Sequence, residues 1–249
     1  MTKFIVFIAG SIVGSFLNVC IHRLPRGESI IRPSSRCPGC GKAIPWYDNI
    51  PIFSFLLLGA RCRFCKTRIR IRYFIVEVLT AALFLILYLY FGLSAKFFAN
   101  LVFASLLIIA TFADFEHQEI PDQVSIGGIC AGVMSSLFTG LTFLGSLIGA
   151  LTGGAIIYLA GVLGKAAFKK EAMGGGDVKL MAMIGAFLGW KLVILTFFIA
   201  PFFGAIVGIT LKIRTGQEVI PYGPYLSLGA LIALFFGDAV LRLLFSGLL

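Results

Sequence analysis

Two acidic residues stand where a largely apolar chain leaves little room for charge. Asp177 follows three glycines in Gly174-Gly175-Gly176-Asp177-Val178-Lys179, at the start of an apolar segment. Asp114 closes another apolar segment, in Ala113-Asp114-Phe115-Glu116-His117. Brought together, two carboxylates can share a proton. One then takes a proton from water while the other donates to a carbonyl, the chemistry by which an aspartyl dyad hydrolyses a peptide without a covalent intermediate. The glycines before Asp177 open backbone conformations closed to other residues and let a substrate strand approach. Gly174, Gly176 and Lys179 are therefore read as the supporting loop. Each acid also has a plainer reading. Asp177 suits a helix N-terminus, where the macrodipole favours a carboxylate, and Asp114 suits the interfacial end of a helix. Lys179 can pair with Asp177 or a substrate carboxylate, or extend its ammonium to the membrane surface. Asp122, after Pro121, reads as the N-cap of the next helix. Glu116, His117, Glu119 and His22 read as solvated or interfacial residues.

A second group of chemically capable residues lies earlier. Cys37-Pro38-Gly39-Cys40 and Cys62-Arg63-Phe64-Cys65 are two C-x-x-C pairs. Their separation, about twenty residues, is that of a tetrahedral four-cysteine zinc site. Basic neighbours favour thiolates, and a metal explains how a small polar loop folds without a core of its own. Disulfides or free thiols are the alternatives; a reducing cytosol argues against the former. Cys20 and Cys130 fall in apolar runs and read as buried packing residues. Glu77 sits just inside an apolar run, where a carboxylate is costly unless paired or near water. It pairs there, or lies at the interface near Arg70 or Arg72.

The elements that must position these groups are membrane helices. The chain has 249 residues, 59% hydrophobic and 13% charged, with a mean hydropathy of +1.01. That excess of apolar surface excludes a water-soluble domain and predicts an all-α polytopic membrane protein. The runs are continuous rather than alternating, which excludes a porin-type barrel. About eight transmembrane helices are expected, at 4–21, 73–92, 97–113, 123–140, 143–164, 177–190, 192–211 and 223–246. A cleaved signal peptide is the alternative for the first, but its basic flank follows it and no small-residue cleavage site precedes that flank. Gly10 and Gly14, and Gly145, Gly149 and Gly153, have the four-residue spacing of close helix contacts.

Charge sets the expected orientation. The net charge of +10 reads as topology rather than nucleic-acid binding. With the N-terminus outside, the inner loops and their edge at Lys179 hold 17 of the 21 Lys and Arg residues, as the positive-inside rule requires. Residues 22–72 alone hold eleven, among them Arg23, Arg36, Arg61 and Arg70. In this frame Asp114 and Asp177 reach the same inner face. The expected organisation is a first helix over 1–21, a cytoplasmic zinc-binding domain over 22–72 and a transmembrane domain carrying the acids over 73–249. Anionic lipid head groups suit the basic loop, whereas Glu116, Glu119 and Asp122 suit a basic substrate segment. A zinc-stabilised transporter or scaffold using the aspartates as an ion relay is the competing reading.

Taken in order, these motifs resemble the type IV prepilin peptidases, bacterial inner-membrane aspartic proteases of the GxGD kind. The matching residues are Gly174–Asp177 with Asp114 upstream of Ile120-Pro121-Asp122, Gly14-Ser15-Phe16-Leu17-Asn18-Val19 with Arg23-Leu24-Pro25, and the paired C-x-x-C motifs. Trp46–Pro51, Arg72-Tyr73 with Glu77, and Ile220-Pro221-Tyr222-Gly223-Pro224 complete the set. The resemblance implies two activities. One is cleavage of the basic leader of prepilins or pseudopilins, in type IV pilus or type II secretion systems, on the cytoplasmic side with Asp114 and Asp177. The other is methylation of the new N-terminus from S-adenosylmethionine, associated with the 22–72 region; a peptidase without methylation is the alternative. No dinucleotide-type fingerprint marks a methyl-donor site.

Overall fold

A chain in hydrocarbon must satisfy its backbone polar groups within itself, so continuous apolar runs fold as helices. The structure is a computed structural model and describes residues 1–168, 173–215 and 221–245. Its helices are α1 (Thr2–Arg23), α2 (Phe53–Leu57), α3 (Ile71–Phe91), α4 (Ala95–His117), α5 (Asp122–Thr139), α6 (Phe143–Phe168), α7 (Gly175–Thr215) and α8 (Gly223–Phe245). Two isolated β-bridges are the only strand-like pairing among the described residues.

The all-α polytopic expectation holds. Among the described residues, six helices are long and apolar enough to cross a membrane. The expected set of about eight differs at two places. α5 falls where the fourth span was expected, but its glycines and serines and its polar start at Asp122-Gln123 leave it less apolar than the six. The expected sixth and seventh spans are the two arms of α7. Gly189, at φ 79° and ψ 172°, leaves the helical region between them, a conformation natural to glycine. α7 also runs to Thr215, beyond the expected end at 211. Lys169, Lys170, Glu218 and Ile220 lie outside the described residues.

The chain divides into two units, Met1–Ile109 and Ala110–Leu249. In the first, α1 packs on α3 through the glycines that the sequence singled out. A methyl group on Gly10 would lie 2.7 Å from the Ala81 Cα, and one on Gly14 2.8 Å from the Glu77 Cα. Ile21, Val76, Ala81 and Leu87 are fully buried in this unit. Cys20 is buried as expected.

In the second unit α7 packs against α5, α6 and α8. The α6–α7 contact is backbone on backbone. A methyl group on Gly149 would strike the Gly185 carbonyl, one on Gly185 the Gly149 carbonyl, and one on Gly153 the Met181 carbonyl. Gly145 is not part of this contact: its nearest neighbours are Thr142 and Leu141 of its own segment. Cys130 is exposed on α5, not buried. The contact face of α5 is instead the small-residue side, with Ser125, Gly128, Gly132 and Ser136 inward.

Candidate active site and metal centre

Asp114 belongs to the last turn of α4 and is 7% exposed. The backbone N–H of Gly223, at the first residue of α8, donates to its Oδ2 at 2.8 Å. This contact requires glycine. A Cβ at position 223 would itself stand 2.8 Å from the same carboxylate oxygen and 3.2 Å from Ile120 Cδ1. Ile120, buried on the turn that follows Asp114, also meets the glycine loop: a methyl on Gly176 would be 3.4 Å from its Cβ. Three segments far apart in sequence therefore converge here: the 114–122 turn, the 174–179 loop and the start of α8.

Asp177 is half-buried in the first turn of α7. Its N–H donates to the Gly174 carbonyl at 3.1 Å, and the Gly174 N–H donates to its Oδ2 at 3.3 Å. The loop thus folds back on the acid that follows it. Asp114 is near enough to act on Asp177 electrostatically. Asp177 in turn acts on Tyr222, whose phenol is pushed up to about 12, first by burial and then by that charge. Lys179 does not pair with Asp177. Its Nζ lies 2.6 Å from Asp122 Oδ1, an exposed ion pair. Asp122 is consequently the first helical residue of α5 and this lysine's partner rather than an N-cap; the capping position is Pro121 and makes no side-chain bond. His117 Nε2 is 4.0 Å from Glu116 Oε2.

Between α1 and α3 the two cysteine pairs meet. All four Sγ atoms of Cys37, Cys40, Cys62 and Cys65 lie within 4.8 Å of one another. Cys37 and Cys65 are 3.6 Å apart, too far for a disulfide and close to the ~3.8 Å edge of a tetrahedron with metal–sulfur bonds of about 2.3 Å. All six cysteines are free. The donor set fits zinc. The two knuckles are copies of one turn. In the first, Cys37 N–H donates to the Lys42 carbonyl and Gly41 N–H to the Cys37 carbonyl, at 3.0 and 2.8 Å. In the second, Cys62 N–H donates to the Thr67 carbonyl and Lys66 N–H to the Cys62 carbonyl, at 2.9 and 3.1 Å. The bridges Arg36–Ala43 and Arg61–Arg68 flank them equivalently. Gly41 and Lys66 occupy the same left-handed position, at φ 69° and 58°. The Thr67 hydroxyl and N–H hold the Cys65 thiol down to about 6. The Cys65 and Phe64 N–H groups lower Cys62, while burial pushes Cys37 up to about 11.

Glu77, on α3, is 7% exposed and accepts the Ile52 N–H at 2.7 Å. It is therefore buried and hydrogen-bonded within the protein. Ile52 adopts φ 66°, ψ −55° to deliver that N–H, an outlier for a β-branched residue. Asn18 is fully buried nearby on α1. Its Nδ2 donates to the carbonyls of Tyr73 and Gly14, at 3.0 and 3.4 Å, and its Oδ1 has no partner among the described residues. Arg63 makes a two-pronged contact with Asp48 at 2.7 and 2.6 Å and holds that carboxyl below its ordinary range.

Residues 8–91 match the model of the bacterial peptidase A24 N-terminal domain, and residues 101–209 that of the type IV leader peptidase family. A Pseudomonas aeruginosa protein named prepilin leader peptidase/N-methyltransferase is 35% identical over 94% of this chain and 90% of its own length. The chain belongs to the type IV leader peptidase family. A Bacillus subtilis protein of the same name is 35% identical over 95% of both chains. A Myxococcus xanthus protein, again so named, is 41% identical over 85% of this chain but only 64% of its own length. No solved structure matches the chain.

The structure gathers the four cysteines and converges the Asp114 turn, the glycine loop and the start of α8, while Lys179 turns to Asp122; two groups with a part in these contacts were not singled out by the sequence. Gly223 was noted only within a motif, yet its N–H is the group bonded to Asp114. The signal available was its position: a glycine between Tyr222 and Pro224 at the opening of an apolar run. Ile52 left no such signal, because its role lies wholly in a backbone angle.

Proposed function

We propose that this chain is a multi-pass inner-membrane enzyme that cuts the basic leader from prepilins or pseudopilins and then methylates the exposed N-terminal amine. The observation that carries the first activity is the convergence of the Asp114 turn, the glycine loop that opens on Asp177 and the start of α8, with Gly223 N–H fixed on Asp114 and Asp114 close enough to act on Asp177 electrostatically. One carboxylate takes a proton from water as the water oxygen bonds to the scissile carbonyl carbon. The other donates a proton to the carbonyl oxygen. Collapse of the tetrahedral species then breaks the C–N bond, and the amine leaves with a proton.

Orientation is part of the proposal. The N-terminus lies outside, and the 22–72 loop and both aspartates lie at the cytoplasmic face, as the distribution of lysine and arginine requires. A prepilin leaves its basic leader on that side, and the exposed Glu116 and Glu119 suit it. The basic loop suits lipid head groups.

The second activity is assigned to the N-terminal unit. Zinc, held by Cys37, Cys40, Cys62 and Cys65, is structural and orders the loop. The methyl donor S-adenosylmethionine supplies an activated methyl group. The residues of this unit that suit its cationic centres are the buried Glu77 and the unpartnered Asn18 Oδ1.

The test is cleavage and methylation of a model prepilin by purified enzyme. Asp114→Asn and Asp177→Asn should each lower cleavage by about 1,000-fold or more while the protein stays folded. Retained cleavage in both variants refutes the dyad. Mass spectrometry of the matured N-terminus reads the methyl group; its absence with donor present leaves a peptidase alone.

A further inference from the structure

We propose that the Tyr222 hydroxyl is a third working group of the aspartate site, donating a hydrogen bond to the scissile carbonyl oxygen as it becomes tetrahedral. This rests on the peptidase reading of Asp114 and Asp177. Three observations place the group. Tyr222 immediately precedes Gly223, whose N–H touches Asp114 Oδ2 at 2.8 Å. Its own main chain is already committed, since its carbonyl accepts from the N–H groups of Tyr225 and Leu226 at 3.1 and 3.2 Å and so opens α8. Its ring lies along α7, where a methyl group on Gly204 would be 3.7 Å from Tyr222 Cε2.

What remains is the hydroxyl. It is buried and has no hydrogen-bond partner among the described residues. A buried polar group without a partner is uncommon and calls for an explanation. A phenol offers one strong donor. Burial and the nearby Asp177 charge push this phenol up to about 12, so it keeps its proton at any working pH. A donor within reach of the dyad's charge, and without an acceptor in the resting protein, acquires one when a peptide carbonyl arrives.

In the reaction, the water oxygen forms its bond to the carbonyl carbon and the C=O π pair moves onto oxygen. Tyr222 O–H donates to that oxygen without losing its proton, while the acidic carboxylate supplies the transferred proton. Because charge on this oxygen grows toward the transition state, such a donor raises kcat more than it improves substrate binding.

The experiment uses the full chain in liposomes with a prepilin peptide substrate. Tyr222→Phe deletes only the hydroxyl. We expect kcat to fall about 10- to 100-fold with KM nearly unchanged. Affinity for a prepilin peptide with a statine-type hydroxyl at the scissile position should fall in parallel, whereas affinity for the reduced-amide analogue, which lacks that oxygen, should not. An unchanged kcat, or equal losses for both analogues, overturns the proposal. Fluorinated tyrosine at position 222 keeps the shape but gives a more acidic phenol. It should keep the turnover that Tyr222→Phe loses, and a loss of kcat equal to that of Tyr222→Phe also overturns the proposal. Asp114→Asn and Asp177→Asn are run alongside. If they are inactive while Tyr222→Phe is normal, only the role of Tyr222 fails; if they cleave, the peptidase reading itself fails.

Discussion

Glu77 in the first unit and Asp114 in the second are held in nearly the same way. Each is 7% exposed on a membrane-length helix. Each accepts one backbone N–H from outside that helix, at 2.7 and 2.8 Å. Each has a glycine pressed against it, Gly14 on the Glu77 backbone and Gly223 on the Asp114 side chain. The difference lies in what faces them. Asp114 acts on a second carboxylate, Asp177. Glu77 faces neutral donors instead, the strained Ile52 N–H and the Ser15 hydroxyl. A carboxylate facing another can pass a proton back and forth, while a lone one is a fixed acceptor suited to holding a cation. On the proposed reading, similar burial thus serves two chemistries, and the neighbour decides which.

The comparison can be broken in graded ways. Removing zinc should have the largest effect, because structural zinc contributes about 10–16 kcal/mol in small cysteine sites. Chelation should open residues 24–70 to protease and abolish methylation. A loop that stays protected, or metal content well below one per chain in reduced protein, refutes the centre. Next is Gly223→Ala. Its methyl group must displace the Asp114 carboxylate, and a shift on the order of 1 Å at such a site lowers turnover about 100-fold. Cleavage kinetics check this, and a variant with parental kcat would show that the glycine contact does not position the acid.

Glu77→Gln keeps the shape and removes the charge. It should cost about 1.5–3 kcal/mol, the worth of a hydrogen bond to a charged group, seen as a lower thermal midpoint. Methylation should suffer more than cleavage. Equal losses of both activities would erase the distinction between the two acids. Smallest is Lys66→Gly. Its counterpart Gly41 already has the residue that a left-handed position favours, so the change should gain about 1 kcal/mol or less. Resistance of bound zinc to a competing chelator would register it.

Much of this architecture is legible in the sequence. Helical runs announce themselves because a bilayer demands unbroken apolar length, and the knuckles because a tetrahedral metal needs paired thiols at short spacing. The acids were conspicuous because the chain has only 11 Asp and Glu residues. What escaped depends on partners distant in sequence or on single torsions. The Lys179–Asp122 pair joins residues 57 apart, and the Gly223–Asp114 bond joins residues 109 apart. Periodicity carries no trace of either. Cys130 was misplaced for a related reason. In a membrane protein an apolar residue is as much at home facing lipid as facing the core, so hydrophobicity does not reveal which way it points. The break at Gly189 was legible only as a gap between two spans, since neighbouring glycines such as Gly185 serve packing instead.

That glycine-to-glycine seam between α6 and α7 has a consequence for precision. Gly185 lies eight residues beyond Asp177, about 12 Å along the helix. Where main chain rests directly on main chain, no rotamer is left to absorb a slip, and the two rods can neither roll nor slide without collision. The second acid is thereby moored in depth by an anchorage well away from its own carboxyl group, and, on the peptidase reading proposed above, a substitution in that seam would be felt as a misaligned cut rather than as a loosened fold.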